Sequence, residues 1–141
     1  MSNVPDIQND FSHEIIGAAV EVQRVLGTGL GEDAYAAALA IELAEREIGF
    51  AQGVALSASY KGRSLGEVYR AGFVVEQSVI VELKAVDVLT DLHRAQVLAA
   101  LRLSGLKLGL LINFNVFPVV KGVHRIAVSY THLTLPTNRE V

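Results

Sequence analysis

The chain contains no cysteine, which excludes disulfides and thiolate metal sites. It has no excess of basic charge either. Twelve Lys and Arg stand against fifteen Asp and Glu, a net charge of −3. No chain-wide positive field therefore draws nucleic acid, and binding of DNA or RNA would need a local patch. No apolar run approaches the length of a membrane span. The opening, MSNVPDIQND, is polar and acidic, unlike a secretory leader. There is no internal repeat and no low-complexity linker. The four histidines (His13, His93, His124 and His132) lack metal-ligand spacing. The expected setting is a soluble cytoplasmic protein with no membrane contact.

What the chain does have is apolar residues, 51% of its 141 positions. That suits one globular domain with a real core. Residues 1–10 read as a polar lead-in. Ser12 is placed to cap a helix running to about Leu26, with Ile15, Ala19, Val22 and Leu26 as its apolar stripe. Gly27-Thr28-Gly29 ends it. An Ala-rich helix is expected from about Gly31 to Ile48, carrying Ala34, Ala38, Ile41 and Ile48, with Gly49 as its stop. Val54 to Tyr60 alternates as a half-buried strand does. Lys61-Gly62 marks a turn, and a second strand is expected over Leu65–Val75.

The run VIVELKAV from Val79 is the most informative strand. Its alternation puts Val79, Val81, Leu83 and Ala85 on one face and Ile80, Glu82 and Lys84 on the other. A helix from Thr90 to Leu103, closed by Gly105, follows. LKLGLLINF reads as a strand covered on both faces, and Val123–Val128 as a last strand. The order α-α-β-β-β-α-β-β predicts an α/β domain, a mixed sheet flanked by helices. Glu82 and Lys84 are expected near the N-terminal helices.

Glu82 and Lys84 are the first candidates for chemistry. In a metal-dependent phosphodiesterase a strand carboxylate binds the divalent ion, and a lysine beside it orients water or stabilises the phosphorane charge. The same E-x-K also suits a solvated face or a cross-strand pair. If strands 65–75 and 79–85 form a hairpin centred on Gln77, position 72 lies across from Glu82, within reach of a shared metal. An aspartate there would complete a two-carboxylate site, but the residue is Gly72, which also suits a bulge or tight bend. Glu76 has the parity of position 72 and is the nearest substitute acid, close to the turn. Gln96 is the polar member of the helical stripe Leu92, Gln96, Ala99 and Leu103. It is placed either toward a polar site or at the stripe's edge. Glu32 and Tyr35 open the second helix three residues apart, where a glutamate also simply complements the helix dipole.

Together these pieces resemble the GxxExxY proteins, a bacterial family of the PD-(D/E)XK nuclease superfamily. Gly29-Leu30-Gly31-Glu32-Asp33-Ala34-Tyr35 matches the naming motif. IIGAAVEVQRVLGTGL, YRAGFVVE, VIVELKAV and GLKLGLLINFNV are similar to the family's other blocks, in order, over residues 11–128. The resemblance implies a restriction-endonuclease-like core and a Mg²⁺-dependent site acting on nucleic acid, DNA in preference to RNA. Its catalytic residues would be Glu82, Lys84, Gln96 and Glu32, and its metal carboxylates Glu82 and Glu32. Two departures stand out. Arg70-Ala71-Gly72 replaces the family's Arg-Ala-Asp, which puts catalysis in doubt, and Gln23 stands where the family often has histidine.

Residues 129–141 do not resemble the family's end. They look like translated sequencing-adapter read-through, so they are expected to be non-native and to pack poorly. Three functions compete. One is a nuclease-fold enzyme with a weakened site. Another is a non-catalytic relative that binds nucleic acid or protein through the same cleft, with Arg70, Lys84, His93 and Arg94 as its basic residues. The third is a homo-oligomer built on an exposed apolar patch of helix 32–48.

Overall fold

The computed structural model describes residues 10–129. Two helices come first, α1 (Ser12–Leu26) and α2 (Glu32–Glu45). Then follow strands β1 (Phe50–Tyr60), β2 (Arg63–Val75) and β3 (Val79–Lys84), helix α3 (Asp91–Ser104), and strands β4 (Leu108–Asn113) and β5 (Val123–Ala127). A 3₁₀ turn, Val119–Gly122, precedes β5. The five strands form one mixed sheet in sequence order. β3 and β4 are parallel, with α3 as their crossover; the other pairs are antiparallel. This is the expected α/β architecture of a restriction-endonuclease-like domain. The lead-in and tail expectations lie outside the described residues, except at Asp10 and Ser129.

Two cores cover the two faces of the sheet. The larger packs Val79, Val81 and Leu83 of β3 against Ile15, Val22, Tyr35, Leu39 and Leu43 of α1 and α2. The smaller packs Ile80 of β3 and Leu111 of β4 against Val97, Ala100 and Leu101 of α3. The period-two alternation of β3 thus sorts its side chains between two helical layers. β4 is buried at every position, as its continuous apolar run requires.

Several local expectations are corrected. Ser12 is the first helical residue and caps nothing. Asp10 does that work, accepting hydrogen bonds from the Ser12 backbone N–H at 3.0 Å and the Ser12 hydroxyl at 2.7 Å. α2 stops at Glu45, short of Gly49, and β1 starts at Phe50. The buried face of α2 is Tyr35, Leu39 and Leu43, while Ile41 is 63% exposed. Tyrosine and leucine bury far more apolar area than the alanines that defined the expected stripe. Ile41 stands on the outer face of that helix with the exposed Ala34, Ala37 and Ala44. α3 is likewise rotated: Val97, Ala100 and Leu101 are buried and Leu92 is 64% exposed.

The hairpin register is as the arithmetic required, with Val75 opposite Val79, Val74 opposite Ile80 and Phe73 opposite Val81. At Gly72 the alternation of β2 breaks. Ala71 and Phe73 are two apart, yet Ala71 joins the α3 core and Phe73 the α1/α2 core. β1 bends in step, because Gly53, between the partners of Ala71 and Phe73, takes a positive φ of 60°. Beyond this kink β2 leaves β3 and continues with β1 alone.

Candidate functional site

The kink opens a cleft of about 460 Å³ at the end of β3. Its walls include Glu82 and Lys84 of β3, Tyr69, Arg70 and Gly72 of β2, Glu32 of α2 and Gln96 of α3. The four residues singled out in the sequence, Glu32, Glu82, Lys84 and Gln96, therefore share one cleft although they come from three elements. Glu82 and Lys84 stand on the α3 face of the sheet, not the face of the N-terminal helices. The first turn of α2 closes the cleft from its side. Glu32 and Tyr35 part company: Glu32 is exposed at the cleft, while Tyr35 is fully buried.

Glu82 is the buried charge of the site, with 9% of its surface exposed. Its Oε2 accepts two hydrogen bonds, from the Tyr69 hydroxyl at 2.9 Å and from the Gly72 backbone N–H at 3.1 Å. Burial pushes its carboxyl above the usual glutamate range, and repulsion from Glu32 adds to that. The Gly72 and Tyr69 hydrogen bonds and the Lys84 ammonium pull the other way. Burial beside that carboxylate also drives the Tyr69 phenol well upward, so Tyr69 stays a hydrogen-bond donor.

Position 72 faces Glu82 so closely that a Cβ there would lie 3.0 Å from Glu82 Oε1. Backbone takes the place of a second acid. Glu76, the substitute suggested by parity, is not in this cleft. It sits in the β2–β3 turn at φ 52°, and its carboxylate accepts the Gly49 N–H at 2.7 Å. His93 caps α3 at Thr90, and Arg94 turns to His124, so neither lines the cleft. Arg70 does, but it is forked onto Glu67 at 2.6 and 3.0 Å and also donates to the Gly53 carbonyl.

Glu82 and Glu32 are the carboxylates that could hold a divalent ion here. Mg²⁺ usually keeps several waters and is bound through one or two carboxylates together with substrate phosphates. Here the cleft offers one buried carboxylate, with an oxygen already taken by two donors, and one exposed carboxylate. Among the described residues, no three His, Cys, Asp or Glu converge closely enough to hold a metal.

Sequence reasoning missed Tyr69. In the extended register it would sit far along β2 from Glu82, and only the kink at Gly72 brings its hydroxyl across. The glycine pair Gly53 and Gly72 was the available signal. Gln23 and Tyr35 prove structural. Gln23 Nε2 donates to the Phe114 and Val116 carbonyls at 3.0 and 2.7 Å, and its Oε1 accepts the Val119 N–H at 2.8 Å. Tyr35 stacks on Phe114 with centroids 4.6 Å apart and donates to the Gly27 carbonyl at 2.7 Å. Together they hold the segment after β4 against α1.

A family model for the PD-(D/E)XK nuclease superfamily matches residues 9–126, and the chain belongs to that superfamily. No curated protein and no solved structure matches it significantly. Members of the superfamily typically use divalent metals to hydrolyse nucleic acids. No helix among the described residues is long and apolar enough to cross a membrane.

Proposed function

We propose that this chain is a nuclease-fold protein whose hydrolytic site is impaired, acting on nucleic acid weakly or only binding it. The observation that carries this reading is the hydrogen bond from the Gly72 N–H to Glu82. Backbone occupies the place from which a second carboxylate would reach a shared ion. Lys84 retains the role it would have in an active relative, an ammonium beside the buried acid that meets a phosphate oxygen. Gln96 and Glu32 flank it as hydrogen-bonding groups. Among the described residues, Glu82 and Glu32 are the carboxylates the cleft offers a divalent ion, and the charge stabilisation such an ion gives phosphoryl chemistry is correspondingly weak here.

The test is cleavage of labelled DNA and RNA with and without Mg²⁺ by the natural chain, Gly72→Asp and Glu82→Ala. Near-background cleavage by the natural chain and a gain in Gly72→Asp are expected. Robust Mg²⁺-dependent cleavage by the natural chain, abolished by Glu82→Ala, contradicts the reading. Binding without cleavage in every form assigns the non-catalytic alternative.

A further inference from the structure

β1 and β2 are paired from Phe50–Val75 to Tyr60–Arg63, but β3 accompanies β2 only over Phe73–Val75. The outer part of the hairpin is therefore a two-stranded arm standing clear of the sheet. Every residue from Ser59 to Val68 is exposed, so this stretch contributes nothing to either core. Such a ribbon is at best marginal in water by itself, and this one is kept at full length. It is also bent: the pairing shifts between Leu56 and Ser57 and again between Ala58 and Ser59, and Gly66 takes a φ of 72°.

Charge distinguishes its end. From Val54 to Leu65 the only ionisable charges are Lys61 and Arg63, which flank the turn, while the whole chain nets −3. Without those two cations the remainder carries −5. Neither makes an ion pair among the described residues; Lys61 merely lies 5.3 Å above the Tyr60 ring. Behind them the arm exposes the hydroxyls of Ser57, Ser59 and Ser64 and the larger side chains of Tyr60, Leu65 and Val68. The arm is thus a ribbon tipped by two unneutralised cations on an otherwise acidic protein. Its strand β2 runs straight into the cleft wall at Tyr69 and Arg70.

We propose that this arm is a docking ribbon for duplex DNA, with Lys61 and Arg63 holding backbone phosphates while the strands enter the major groove beside the cleft. A B-form major groove, about 12 Å wide and 8.5 Å deep, admits a two-stranded ribbon. Residues 63–68 span about 17 Å at ~3.3 Å per residue, enough to cross that depth. The deep, narrow major groove of A-form RNA does not admit such a ribbon. The inference rests on the nuclease-fold reading only for where the bound duplex leads, not for the binding itself.

Fluorescence anisotropy with a labelled 20-base-pair DNA duplex, in EDTA and across roughly 50–200 mM salt, tests the arm separately from cleavage. The natural chain is expected to bind. The double variant Lys61→Gln/Arg63→Gln, with unchanged thermal stability because both residues are exposed, should bind about tenfold more weakly. Its slope of log affinity against log salt should fall by about 1.8, the loss of two phosphate contacts at ~0.9 each. No binding by the natural chain, or equal affinity and slope in the double variant, overturns the proposal. So does equal binding of an RNA duplex, or a salt-insensitive dimer in sedimentation that the double variant dissolves, which would make the arm a protein contact.

Discussion

Gly72 and Glu82 are joined through backbone: the Gly72 N–H donates to Glu82 Oε2 at 3.1 Å, and the space a side chain would take lies against Oε1 of the same carboxylate. A side chain at 72 cannot enter without moving Glu82. In Gly72→Asp the new Cβ starts 3.0 Å from Oε1 and 3.3 Å from the Val81 carbonyl oxygen. The carboxylate end can shift and the backbone cannot. Two carboxylates would then face each other in a largely dehydrated site, where like charges repel strongly. The expected result in EDTA is a drop in melting temperature on the order of 3–8 °C, corresponding to about 1–2 kcal/mol. Mg²⁺ at ~100 times its dissociation constant would return about 2.7 kcal/mol to the variant. Calorimetry with Mg²⁺ or EDTA checks this. A natural chain whose melting temperature rises with Mg²⁺ as much as the variant's does contradicts it.

Glu82 also predicts a pH dependence. Its carboxyl is raised in the folded chain, chiefly by burial. The folded state therefore binds this proton more tightly than the unfolded state does. The contribution to stability is full below the ordinary glutamate value of 4.5 and is lost as pH rises through the folded value. Glu82→Gln removes that loss. Both the Tyr69 and Gly72 donors meet a single oxygen, Oε2, so the amide oxygen can accept both and the amide nitrogen replaces Oε1. The variant should melt on the order of 2–4 °C higher than the natural chain at pH 7. The gap should close as pH falls to about 4. A variant that melts lower at pH 7, or a gap independent of pH, would show that the charge is not what burial penalises.

The same residues show how far the sequence could be read. Alternation in VIVELKAV placed Glu82 and Lys84 on a common face, and the hairpin register put position 72 across from Glu82; both depend only on the period of a strand. The convergence of Glu32 and Gln96 on that cleft was legible through the family pattern. The rotation of α3 was not. Leu92, Gln96 and Leu103 form as good a stripe as Val97, Ala100 and Leu101, and only packing against the small residue Gly109 decides between them. Nor was the Tyr69 contact legible, because it depends on a kink that reverses the faces of β2. Asp10 was hidden for a similar reason, because it sits in a polar lead-in. There its carboxyl, though raised by burial, is brought down to about 2 by hydrogen bonds from Arg125 and Ser12.

Gln23 gives a stability prediction distinct from the site. Its amide satisfies two carbonyls and one N–H of the segment between β4 and β5. Gln23→Leu keeps a similar volume but leaves three backbone groups without their partner. An unsatisfied buried group costs about 1–3 kcal/mol, and some of these will find water. A loss of about 2–4 kcal/mol in urea unfolding is expected, with the m-value unchanged. A loss under about 1 kcal/mol would mean that the segment holds itself in place without Gln23.

The last prediction concerns the fit of α3 on the sheet. A Cβ at Gly109 of β4 would lie 2.5 Å from Val97 Cγ1 and 3.6 Å from Leu101 Cδ1. The first distance is far inside van der Waals contact, so the helix rests on this strand only because residue 109 has no side chain. Gly109→Ala must push α3 outward or force Val97 from its rotamer, at a cost of about 1–3 kcal/mol. Val97→Ala alone leaves a void and costs about 1–2 kcal/mol. Combined, the changes remove the clashing Val97 Cγ1, with Cγ2, and put one methyl at 109 into part of the space they leave. The double variant should therefore be more stable than the sum of the single losses by at least about 1 kcal/mol. The effect reaches the cleft because Gln96, beside Val97 on the same helix, lines it. Gly109→Ala should shift the NMR amide resonance of the Gln96 side chain, and adding Val97→Ala should return it. Additive losses, or an unmoved Gln96 resonance in Gly109→Ala, would show that α3 is not seated by this contact.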